Sequence, residues 1–235
     1  MELIEPQTTT ILMMMFRWNH FDAGITWIGI LYFFNLVNVN FMKGIDAPTK
    51  GKVIPGMLKP ALWYFRWGAV FTVLSGLIYF IFWIVNPDIA AVGGSHMSLG
   101  IWLAAVLVTW GIMFFLIDVQ KVNNGNVLAA IFVVLVVAMS WVVASLAGFP
   151  TPRSISIGIG GGIGLLMFLN VWGIIWRHQK RIIGWTEENV AKGTAIPAEA
   201  AGLGRRAFLA SRTNAWLSLP MLFFMANSGH LAITF

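Results

Sequence analysis

Six long apolar stretches, separated by short polar segments, organise this chain: Met13 to Val39, Ala61 to Val85, Met97 to Ile117, Val127 to Leu146, Ser154 to Trp176, and Ala215 to Thr234. A helix rises ~1.5 Å per residue, so about 20 apolar residues cross a hydrocarbon core of ~30 Å. Backbone groups in lipid must be satisfied internally, which restricts spanning segments to helices or closed barrels. The expected fold is therefore all-α: a single domain over residues 1–235, an integral membrane bundle of about six transmembrane helices. The first stretch is longer than a crossing needs, and Asn35, Asn38 and Asn40 predict that its end frays into a loop. Pro48, Pro55 and Pro60 punctuate the first connection, Asn123 to Asn126 the third, and Pro150 and Pro152 the fourth. The one long polar connection, 177–214, carries Glu187, Glu188, Pro197 and an Ala-rich run, and is expected to form one or two short interfacial helices.

Composition agrees with this pattern. With 58% hydrophobic and 10% charged residues the chain is too apolar for a solvated surface, and the lipid bilayer is its expected solvent. The net charge of +6 does not indicate nucleic acid, because the basic residues lie in connections rather than along one face. Lys43, Lys50, Lys52, Lys59, Lys121, Arg177, Lys180, Arg181, Lys192, Arg205, Arg206 and Arg212 all fall on one side of a six-fold crossing, and only Arg17 and Arg153 on the other. The positive-inside rule makes the crowded side cytoplasmic, with 177–214 there and both termini periplasmic. The first residues lack the basic region and cleavage site of a signal peptide, so the first span is expected to be retained. With no cysteine, the sequence has no thiolate ligand and no CxxCH attachment of a c-type haem.

Ionisable groups inside a membrane are expensive, so each needs a partner or a task. His20, His96 and His230 share the outer depth, near the ends of the first, third and sixth spans. Gly24 and Gly100 follow two of them at i+4, on the same helix face. Gly158, Gly160, Gly161, Gly162 and Gly164 strip side chains from the fifth span at that depth. Histidine beside glycine suits a bis-histidine haem b, with His20 and His230 as axial ligands and His96 as the alternative. A histidine-held copper or zinc is the competing site, and close helix packing is the competing role for the glycines. His178, among cations, is expected to be solvated. Arg66 and Asp118, at comparable inner depth, are expected to form an ion pair. Asp22 is placed to orient a histidine or to make an interfacial hydrogen bond, and Asn170 and Asn214 to bond between helices. The twelve tryptophans mark interfaces.

Four segments carry a resemblance: Arg17-Trp-Asn-His-Phe-Asp-Ala-Gly-Ile-Thr-Trp-Ile-Gly, Phe65-Arg-Trp-Gly-Ala, Asn170-Val-Trp with the following Ile-Ile-Trp, and Ala210-Ser-Arg-Thr-Asn-Ala-Trp-Leu-Ser-Leu-Pro-Met-Leu-Phe-Phe-Met. The chain resembles the membrane domain of bacterial membrane-bound urate oxidase, or urate hydroxylase. The resemblance implies a multi-pass protein of the bacterial inner (plasma) membrane, credited in full-length members with urate oxidation and followed there by a cytochrome c domain. This sequence ends at Phe235 without such a domain, so the expected electron acceptor is a separate cytochrome c or a quinone, with other membrane subunits as partners. Of the histidines, His20 and His230 fit the family-like segments best. The leading expectation is a haem b electron-transfer subunit of a membrane complex working near the periplasmic face. The alternatives are urate or purine oxidation coupled to a separate cytochrome c, and an accessory subunit that is cofactor-free or binds copper. Transport fits less well, for want of intramembrane charges or a broken helix pair.

Overall fold

The computed structural model describes residues 6–230, and these are helical almost throughout, with no strand among them. The long helices are α1 (Gln7–Gly44), α2 (Ala47–Val92), α3 (Met97–Val119), α4 (Gly125–Ser145), α5 (Pro152–Lys192) and α6 (Glu199–Ala226). The first five are long and apolar enough to cross a membrane. In α6 the first half carries Arg205, Arg206 and Arg212, and the apolar run follows at 215–226.

Local chemistry fixes the helix starts. Asp46 accepts from the Thr49 N–H at 2.9 Å with Pro48 in the first turn of α2. The Thr49 hydrogen bonds hold the Asp46 carboxyl below the usual carboxylate range. Asn124 caps α4 by accepting from the amides of Asn126 and Val127, and Thr151 and Ser154 form a capping box at α5 behind Pro152. At the far end of α5, Gly193 adopts the left-handed conformation (φ 71°) that stops the helix.

Three sequence expectations change here. The end of the first span does not fray: α1 continues through a π-helical turn, Phe33–Asn38, to Gly44. Pro55 does not break α2, because it sits in a second such turn, Ile54–Leu58, where the widened backbone tolerates its missing N–H. The connection 177–214 is not a separate pair of interfacial helices. Arg177–Lys192 extends α5, and α6 begins at Glu199, leaving only residues 193–198 between them.

Helix α5 is the hub of the bundle. It packs against α2, α3, α4 and α6, while α1 lies along α2. Lipid tails are as apolar as leucine, so helices associate there through close van der Waals fit and small residues. The α5 glycines supply that fit. A Cβ on Gly160 would meet the Met221 carbonyl oxygen at 3.2 Å, and one on Gly162 would meet Trp102 and Val106 at 3.2 and 3.3 Å. Leu166, Met167, Val171 and Ile174 then complete a fully buried flank. Side chains such as Trp18, Ile25, Val133 and Val134 point outward, as lipid-facing residues do.

The two ends of the bundle differ. At the basic end, Lys59 pairs with Glu187 at 2.7 Å, Arg181 with Glu199 at 2.6 Å, and Arg205 reaches Asn123 at 2.8 Å. At the opposite end, Thr151 donates to Asp88 at 2.5 Å.

Candidate functional site

His20 projects from α1 onto α2, where Nδ1 lies 2.8 Å from the Thr72 carbonyl oxygen. A carbonyl only accepts, so Nδ1 carries the proton and Nε2 keeps its lone pair. A metal-binding histidine is commonly oriented in this way. The glycine that makes room for the ring is Gly76 on α2, where an added Cβ would stand 2.7 Å from Nδ1. Gly24 instead faces the Thr72 side chain at 3.7 Å.

The other two expected ligands are solvent-exposed. His96 precedes α3 with Nε2 3.1 Å from Asn86 Oδ1, and Gly100 has nothing within 4 Å of an added Cβ. His230 lies beyond the end of α6 in a turn, its amide donating to the Asn227 carbonyl at 2.8 Å. Among the described residues no three His, Asp or Glu side chains gather into a group that could hold a metal ion. The α5 glycines face neighbours: Gly158 meets Phe149 and Val143, and Trp102 donates from Nε1 to the Gly158 carbonyl at 2.7 Å. The His20 ring is thus oriented as metal-binding histidines commonly are, whereas the glycine face of α5 is filled by neighbouring side chains and leaves no slot for a macrocycle.

The Arg66–Asp118 ion pair is not formed. Asp118 is held instead by Arg177, by His178 Nε2 at 2.6 Å and by Arg206 at 3.8 Å. The reason is the extension of α5, which carries Arg177 and His178 to the end of α3. His178, expected to be solvated, is only 3% exposed. Arg66 stacks on Trp176, 3.7 Å above the ring centroid, and finds no carboxylate among the described residues. Its Nε and Nη1 are buried without an acceptor, beside an open recess of about 510 Å³ that Lys59, Trp63 and Tyr64 also line.

A buried polar seam joins α1, α5 and α6. Asn170 donates to Asn214 Oδ1 at 2.9 Å, and Asn214 donates to the Met167 carbonyl at 2.9 Å, the interhelical bond that those two asparagines predicted. Ser218 gives its proton to the Ala215 carbonyl, so Tyr32 donates to Ser218 at 2.8 Å. Asn35 donates from Nδ2 to Ser211 Oγ and to the Leu31 carbonyl, both at 2.9 Å. Ser211, Asn214 and Ser218, spaced by three and four residues, share one face of α6. At its basic end the seam opens into a half-enclosed cleft of about 90 Å³, much smaller than the Arg66 recess. Asn35, Asn38, Gln179 and Ser211 line the cleft with Phe34 and Phe208. Sequence reasoning missed it by treating Asn35 and Asn38 as a frayed end. Their i, i+3 spacing inside an apolar stretch was the available signal.

The model of the urate oxidase N-terminal family matches residues 42–235. No curated protein and no solved structure matches the chain. The matched region contains 65–69, 170–176 and 210–225, three of the four segments that carried the resemblance, but begins after His20. It also contains Arg66, Asp118, Gln179 and Ser211. This chain belongs to the urate oxidase N-terminal family.

Proposed function

We propose that this chain is the membrane-embedded redox component of a urate-oxidising system, handing electrons to a separate carrier such as a cytochrome c or a quinone. Family membership supports the link to urate, and the apolar helices support the setting in a bilayer. In its finer form the reading has both termini periplasmic, the basic end cytoplasmic, and a haem b at the opposite end. The observation that carries the haem is the His20 ring, whose Nδ1–H is committed to the Thr72 carbonyl so that Nε2 is left with a lone pair. His230 or His96 supplies the second ligand. A b haem there would provide one-electron transfer.

The test is a visible spectrum of purified protein with a parallel metal analysis. Dithionite should raise the sharp alpha band of a six-coordinate b haem, and His20→Ala should abolish it while His178→Ala leaves it unchanged. Copper without iron would replace haem by the copper site, and a colourless, metal-free protein would end both. Urate-dependent reduction of added cytochrome c tests the substrate separately. A second reading, an accessory subunit without cofactor, draws on the filled glycine face of α5.

A further inference from the structure

We infer that the recess around Arg66 binds the phosphodiester of a membrane phospholipid, in the leaflet at the basic end of the bundle. Lys59, Trp63 and Arg66, spaced by four and three residues, share one face of α2 and line the recess with Pro60, Tyr64 and Trp176. Two of these side chains are cationic and none is acidic. Lys59 already has a carboxylate, Glu187 at 2.7 Å, whereas Arg66 has none among the described residues. The recess therefore carries one uncompensated positive charge, which a phosphodiester monoanion matches.

The guanidinium can meet an anion from one side only. It lies 3.7 Å above the Trp176 ring centroid, and its Nε and Nη1 are shielded from solvent without an acceptor. Nη2 is the nitrogen left accessible, and it makes no hydrogen bond among the described residues. Stacking offsets part of the cost of shielding a cation but gives its N–H groups no acceptor. Arg66 stands seven residues beyond Lys59, ~10 Å further along α2 into the bundle. Trp63 and Tyr64 beside it are 50% and 57% exposed, as aromatics at a headgroup boundary are. A free phosphate would have to shed its hydration to reach that depth, whereas a phospholipid brings its phosphate there with its acyl chains already in the bilayer. The volume, about 510 Å³ against ~30 Å³ for a water, admits a phosphate with its glycerol.

Native mass spectrometry of the full chain in maltoside micelles, titrated with phosphatidylglycerol or with diacylglycerol, tests this. One saturable phosphatidylglycerol adduct is expected, with no equivalent diacylglycerol adduct and no displacement by inorganic phosphate in excess. Arg66→Gln should weaken the adduct about ten- to hundredfold, as losing a charge-assisted hydrogen bond implies. Trp63→Glu supplies a carboxylate one helical turn before Arg66 and should weaken the adduct to a similar extent, in protein whose melting temperature is not lowered. An undiminished adduct in either variant, with folding verified by its melting profile, would overturn the inference. So would the absence of a wild-type adduct, or diacylglycerol adducts as strong as those of phosphatidylglycerol. Displacement of the lipid by inorganic phosphate would assign the site to the free anion and overturn the lipid as its occupant.

Discussion

Asp118→Asn keeps the shape of the side chain and removes its charge, which makes it a direct probe of the network at the end of α3. The Asp118 carboxylate is 9% exposed, and its shortest contacts are with Arg177 and His178. A hydrogen bond to a charged group contributes about 1.5–3 kcal/mol when desolvated, and His178 meets that condition. Arg177 is 45% exposed, so its share falls to about 0–1 kcal/mol after solvent screening. Arg206, at 3.8 Å, adds little directly, but its guanidinium would be left facing an amide. The expected loss is about 2–4 kcal/mol, read from reversible unfolding in mixed micelles. In a double-mutant cycle, Asp118→Asn with His178→Leu should couple by more than about 1 kcal/mol, while Asp118→Asn with Arg66→Met should be additive within about 0.5 kcal/mol. A loss below about 0.5 kcal/mol for Asp118→Asn, or strong coupling to Arg66, would refute the reasoning.

Gly76→Ala should displace His20 from Thr72 and cost about 1–3 kcal/mol through overpacking; an unaltered melting curve would show that the α1–α2 contact yields. Gly160→Ala should destabilise by a similar amount because its new methyl meets the α6 backbone, whereas Gly100→Ala, in open space, should be neutral or stabilising by about 0.5–1 kcal/mol. Asn170→Leu should cost about 0.6–1.7 kcal/mol, the range of interhelical hydrogen bonds in membranes, with Asn214 left facing an apolar neighbour. A cysteine at Lys192→Cys should resist an impermeant thiol reagent in intact cells and react after permeabilisation; labelling in intact cells would reverse the orientation.

Much of the bundle is legible in the chain because lipid imposes one rule on every span: about 20 apolar residues and an internally bonded backbone. What was not legible depends on where helices continue past the membrane. Arg177 and His178 read as part of a polar connection, yet one uninterrupted α5 delivers them to Asp118. Asn35 and Pro55 read as interruptions because polar and imino residues weaken straight α-helices, but π-helical turns absorb both. The glycines of α5 had two readings in one dimension, a space for a cofactor or a seat for a neighbour. Only the packing of Phe149, Met225 and Trp102 onto them decides for the seat. The same limit applies to His20. Sequence placed it level with His96 and His230, yet it packs on Thr72 and Gly76 inside α2 while those two lie outside the ends of α3 and α6, and its partner Thr72 follows no local spacing.

Polar residues within this bundle divide by whether their bonding capacity is used. The Asn170–Asn214 and Tyr32–Ser218 contacts join helices at about 0.6 kcal/mol each, although Asn170 Oδ1 is itself buried without a partner. They need no ligand to account for them. Asn38 shares its orphaned buried oxygen with Asn35 and Asn170 but makes no side-chain hydrogen bond at all among the described residues, and burying such an amide costs about 1–3 kcal/mol. His20 sits between these cases, with one nitrogen satisfied and the other left with a lone pair. Arg66 also lacks an acceptor, yet its stacking on Trp176 contributes about 0.5–2 kcal/mol and its recess opens outward. Asn38→Leu, relieved of an unpaired amide, should therefore melt no lower than wild type, and a clearly lowered melting temperature would show that the amide is satisfied after all.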